Sequence, residues 1–124
     1  MSKKVAVILA GCGVNDGSEI HESSAVLVHL SRAGVQVSDG KSHSIILLYL
    51  YNRSSFSISH RWPYAGTAGA ITELGCKHVN KQVTEVHVDT KNKLVTNCGF
   101  MSNSPLHQIY EGVGEMVRAL LKLL

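Results

Sequence analysis

The sequence predicts an α/β domain with a mainly parallel sheet, on three observations. Val5 to Ala10 is a continuous apolar run, β-branched at Val5, Val7 and Ile8. That is the pattern of a strand buried on both faces. A glycine turn and an amphipathic stretch follow, and a second strand starts after Gly34, at Val35 to Val37. Strand, glycine turn, helix, glycine and strand within about 30 residues make a βαβ unit. The chain then closes on a long amphipathic helix that supplies a covering layer.

In chain order, Gly11, Gly13 and Gly17 provide turn backbone between the first strand and the first helix. The helix is expected from about Glu19 to Ala33, with Ile20, Ala25, Leu27, Val28 and Leu30 near helical spacing. Ser18 is the expected N-cap, Glu22 complements the helix dipole in the first turn, and Gly34 suits the C′ position. Residues 39–60, "DGKSHSIILLYLYNRSSFSISH", differ in character. They set a hydrophobic cluster, Ile45 to Tyr51, between serine-rich flanks with no helical period. The cluster reads as a strand and Asn52 to His60 as loop.

"WPYA" at Trp62 to Ala65 is an aromatic-proline turn. Thr67 to Leu74 reads as a short helix closed by Gly75. Val83 to Asp89 alternates, "DTKNK" makes a polar turn, and Leu94 to Thr96 returns, which predicts a β-hairpin. The last helix is expected from Pro105 to Leu123, capped by Ser104 with Pro105 at its first position. Its apolar face is Ile109, Val113, Met116, Val117, Leu120 and Leu121. Gly112 and Gly114 weaken that helix by about 1 kcal/mol each relative to alanine, which points to close packing or a bend there.

Composition narrows the function classes. A chain of 124 residues suits one domain, and 44% hydrophobic residues argue against disorder. Net charge is +3, and no Lys/Arg cluster or aromatic-basic stripe marks a nucleic-acid surface. Cys12, Cys76 and Cys98 fit neither a zinc spacing nor an even disulfide framework, which points to a reducing compartment. No apolar run is long enough to span a bilayer. The N-terminal "MSKK" leads directly into a strand, with no secretory signal or Arg/Ser-rich transit peptide.

Four constellations bear on chemistry. Glu22 sits near the C-terminal end of a strand, where open α/β sheets place ligands. It is either an acid or base partner of a nucleophile or a solvated first-turn charge. "GCGVNDG" could cradle a phosphate at the helix N-terminus, but it lacks the GxGxxG order and a GK[ST] ending. Asp16, Glu19 and Glu22 would also repel an anion. Cys12 is either a reactive turn thiol near a helix start or a small buried turn residue. His21 with Glu22 resembles half a metal site, but no HxxxH or HxH pair occurs, so neither a metal nor a cofactor is expected.

Longer strings carry a resemblance. "VAVILAGCGVNDGSEIHESSAVLVHLSRAG" closely resembles the opening of the ElbB-like, mitochondrial glutamine-amidotransferase-like (class I) proteins. These belong to the PfpI and Parkinson-associated deglycase superfamily. "WPYAGTAGAITELGCKHVNKQVTEVHVDTKNKLVT" and "GFMSNSPLHQIYEGVGEMVRALLKL" resemble that family's C-terminal third. The family-like parts are residues 3–38 and 61–123, and residues 39–60 are an atypical insert within one incomplete domain spanning 1–124.

The resemblance implies a truncated flavodoxin-like sandwich with a mainly parallel sheet, and a family with glyoxalase- or deglycase-type activity on small reactive carbonyls. It places the family's acid at Glu22, the partner of an elbow cysteine. Neither the family's PGGFG turn nor its elbow occurs here, so the chain reads as an alternative-splice or gene-model product without its nucleophile. "TNCGFM" also departs from the family's Thr-Pro-Ala before Phe-Met, so Cys98 is not a family nucleophile. The expected function is therefore a catalytically inactive member, or a pseudo-enzyme or interaction module. Its expected partner is a second copy or a full-length paralogue, with no nucleic acid or membrane. The compartment implied is the mitochondrion, or the cytoplasm if no presequence exists. Apolar faces at Val5 to Leu9 and Ile109 to Leu121 are expected to have lost their original packing partners, leaving a marginally stable, aggregation-prone chain with residues 39–60 least ordered.

Overall fold

A computed structural model describes residues 4–7, 19–38, 45–46, 69 and 72–124. Strand β1 (Lys4–Val7) is followed by helix α1 (Ile20–Arg32), strand β2 (Gln36–Ser38) and strand β3 (Ile45–Ile46). Strands β4 (His87–Asp89) and β5 (Leu94–Thr96), a short 3-10 helix (Gly99–Ser102) and helix α2 (Leu106–Leu123) complete the chain.

The sheet has the order β2-β1-β3, and β1 is parallel to both neighbours. Lys4, Val5 and Ala6 pair with Gln36, Val37 and Ser38 on one side. Ala6 and Val7 pair with Ile45 and Ile46 on the other. The predicted βαβ unit is therefore present, and Ile45 and Ile46, the first two residues of the predicted Ile45 to Tyr51 strand, join the sheet. Ile8 to Ala10, the glycine turn with Cys12, residues 47–60 and "WPYA" lie outside the described residues. Of the predicted short helix, Gly69, Thr72 and Glu73 are helical, and Gly75 follows at φ +86°.

The C-terminus of α1 follows its sequence. Gly34 adopts φ +66° and donates to Ser31 O, while Val35 donates to Leu30 O. This pair of bonds is a Schellman ending, with Val35 packed against the cluster that contains Leu30. The buried face of α1 differs from the expected one. It consists of Glu22, Ser23, Ala25, Val26 and Leu30, whereas Ile20, Leu27 and Val28 remain at least one-third exposed. The spacing of 22, 26 and 30 selects a stripe that carries two polar residues inward.

α1 packs on α2 above β1. Val5, Ala25, Val26, Leu30, Val113, Met116 and Val117 form one cluster, with Val86, Val95, Tyr110 and Leu121 around it. The N- and C-terminal parts thus share one core directly. Gly114 makes the helix contact close, because a Cβ there would lie 2.5 Å from His29 Cε1. His29 Nε2 instead reaches Tyr110 O at 3.1 Å, with the two rings 4.6 Å apart.

Three expected boundaries are corrected. Glu19, not Ser18, caps α1, since its carboxylate accepts from Glu22 N–H at 2.8 Å. Pro105, not Ser104, is the N-cap of α2, and its carbonyl accepts from Gln108 and Ile109 N–H. The hairpin is antiparallel as expected, but β4 begins at His87 rather than Val83. β5 is only three residues long, and among the described residues no strand lies opposite Val83 to Val86. The chain there forms a turn instead, with Glu85 N–H donating to Gln82 O and Glu85 Oε2 accepting from Gln82 N–H.

Candidate functional site

Glu22 occupies the third position of α1, where a glutamate ordinarily reaches back to close a capping box. Here Glu19 supplies the cap, and the Glu22 side chain turns inward. It is only 7% exposed. Its Oε1 accepts from Phe100 N–H at 2.8 Å, a bond between residues 78 positions apart. The carboxylate thus reaches the first turn of the 3-10 helix, whose own N-cap residue, Cys98, makes no side-chain cap bond. The sequence alone left open whether this carboxylate faces solvent or a tertiary site; the structure buries it.

Gly99 makes the approach possible. A Cβ at this position would overlap Glu22 Oε1 and lie 3.0 Å from its Cδ, and the residue adopts φ +49°. Glycine meets both demands, having no Cβ and free access to the left-handed region. The segment from Asn97 to Phe100 is therefore where the Glu22 carboxylate rests.

Burial pushes the Glu22 carboxyl above its ordinary value. The Phe100 amide pulls in the opposite direction, and the negative charge of Glu19 adds to the rise. Glu19 itself is held low: burial opposes this, but the His21 ring and the Glu22 N–H favour its charged form. His21 Nδ1 meets Glu19 Oε1 at 2.8 Å, so the imidazole pairs with Glu19 and not with Glu22. Among the described residues, no group of three His, Cys, Asp or Glu side chains converges as a metal site.

Cys98 is the thiol beside this acid. It is half-buried, and burial pushes its thiol up; the Ser102 hydroxyl lowers it and the Glu22 charge raises it again. A thiol so held is protonated near neutral pH and is a poor nucleophile. Among the described residues, the amide that reaches the Glu22 carboxylate is that of Phe100, and it is already bonded there and not free to hold an oxyanion. Cys76 is exposed on the surface. Sequence reasoning missed Asn97 and Gly99. The signals were there, in a glycine two residues after an asparagine and in Gly112 at an interior position of the helix that faces them.

No family model matches the chain. The chain is 30% identical to the human glutamine amidotransferase-like class 1 domain-containing protein 3, mitochondrial, over 222 aligned positions covering 97% of this chain and 83% of the relative. The chain belongs to the glutamine amidotransferase-like class 1 family. It is also similar to the ES1 protein homolog, mitochondrial, of Rattus norvegicus, with 29% identity over 97% of this chain and 84% of the relative. The mitochondrial ES1 protein of Danio rerio is 31% identical over 59% of this chain and 28% of its own length. All three names carry the compartment that the sequence resemblance implies. Alignments of 222 positions exceed the 124 residues of this amidotransferase-like chain, so a long stretch of the human and rat relatives has no counterpart in it.

Proposed function

We propose that this chain is a shortened, catalytically silent member of its family that keeps the acid of a thiol–carboxylate pair and lacks the thiol. By resemblance it falls among the ElbB-like proteins of the PfpI and deglycase superfamily, as a single incomplete flavodoxin-like domain located in mitochondria. In intact members the chemistry implied is attack of a thiolate on a small reactive carbonyl. A sulfur–carbon bond forms, the carbonyl π pair moves to oxygen, and backbone amides hold the oxyanion. Glu22 is the residue that would adjust the thiol's ionisation.

The observation that carries this reading is the buried Glu22 carboxylate. It is anchored by a tertiary bond to Phe100, and the thiol beside it, Cys98, is one that burial keeps protonated. A buried carboxyl with a raised pKa is typical of active sites. The excess of aligned positions over chain length supports the loss of the segment that carries the nucleophile in relatives. The test is methylglyoxal consumption by the purified chain. No turnover above buffer is expected, with no change in Glu22→Gln. Turnover that Glu22→Gln abolishes would overturn the reading.

A second reading, an interaction module that pairs with a full-length relative, is favoured by the sheet. Among the described residues, the outer strands β2 and β3 each pair with β1 alone, and β3 has two residues. Open edges of this kind are templates for pairing. Co-purification with an intact relative distinguishes this reading from the first.

A further inference from the structure

Asn97 uses both ends of its amide. Nδ2 donates to Val83 O at 2.8 Å and to Glu85 O at 2.9 Å, while Oδ1 accepts from Gly99 N–H at 2.9 Å. These bonds tie the Gln82–Glu85 turn to the turn that bears Phe100. Helix α2 leaves room for them, because a Cβ on Gly112 would overlap Val83 O and lie 3.1 Å from Asn97 Nδ2.

We propose that Asn97 is the positioning residue for the Glu22 carboxylate, fixing Gly99 so that the next amide, Phe100 N–H, is aimed at Glu22 Oε1. This rests on the reading of Glu22 as the family's acid. Asn97 acts only through the backbone. The position demands two donations and one acceptance, which a primary amide supplies and which neither a carboxylate nor a hydroxyl matches. The fixed amide is what holds an inward carboxylate in one orientation. The other titratable groups in play are Glu19 from α1, whose charge acts on Glu22, and Cys98 from the turn, on which the Glu22 charge acts.

The test is amide hydrogen exchange by NMR on the whole chain, with Asn97→Ala and Asn97→Ser as variants. Exchange at Phe100 is expected to quicken by about tenfold, the ratio that one ordinary hydrogen bond supports. The Phe100 amide shift should also lose the pH dependence it takes from Glu22, while the amides of Leu30 and Val117 keep their protection. Unchanged Phe100 exchange and titration in both variants would overturn the proposal. Equal loss of protection at Leu30 and Val117 in both variants would do so too, since Asn97 would then act on the whole fold. Neither readout involves a thiol or a substrate, so methylglyoxal turnover would overturn the functional reading and leave this result standing.

Discussion

Leu30→Ala is expected to abolish cooperative folding. Leu30 is fully buried and sits where α1, α2 and β1 meet, and its carbonyl also accepts the bond that ends α1. Removing a buried leucine side chain costs about 2–5 kcal/mol, because the cavity collapses only in part. Whole domains are stable by about 5–15 kcal/mol. The cluster that Leu30 joins holds seven buried residues among those described, and a loss at the top of the first range reaches the bottom of the second. Loss of the sigmoidal circular-dichroism melt in the variant is the expected result. A melt within a few degrees of the parent would show that the core lies elsewhere.

Gly112→Val is the second large effect. Its added carbons would be directed onto the Val83 carbonyl, a backbone group that cannot rotate away, and against the Asn97 amide. Valine improves the helix propensity of α2 by only a few tenths of a kcal/mol over glycine. Overpacking against backbone costs about 1–3 kcal/mol or more. The net outcome is a lower urea midpoint, with α2 displaced from the hairpin. The Asn97 side-chain amide signals should shift with it. An unchanged midpoint would mean that the helix and the Val83 turn are not in contact.

These two positions differ in how far the sequence revealed them. Leu30 and the Gly34 ending were legible, because helix period and a left-handed glycine are local signals. Gly112 was legible as a mark of close packing, although what it packs against was not. The caps were displaced by one residue: Glu19 beside Ser18, and Pro105 beside Ser104. Neighbouring residues can each satisfy a first-turn amide, and only the backbone geometry decides which does. Val83 to Val86 alternate like a strand, but alternation does not supply a partner. The carbonyls of Val83 and Glu85 went to Asn97, fourteen and twelve residues away. The inward turn of Glu22 is a tertiary choice. It depends on Phe100 and on the missing Cβ of Gly99, and no window of sequence around residue 22 contains either.

Glu22 is an acid that the fold keeps buried at some cost to its own stability. Burial makes the folded chain hold this proton more tightly than the unfolded chain does. The resulting stabilisation is complete below the unfolded-state pKa and is lost as pH rises through the higher folded-state value. Glutamine stays neutral throughout and keeps an oxygen for the Phe100 amide. Glu19, Asp89 and Glu115, whose carboxyls are held low, pull the other way but are present in both proteins. The direct measurement is therefore the urea stability of Glu22→Gln relative to the parent, taken from acid to neutral pH. The advantage of the variant is predicted to grow as pH rises and then to level off. A parent that gains on Glu22→Gln over the same range would mean that the fold favours the charged carboxylate, and would contradict the account.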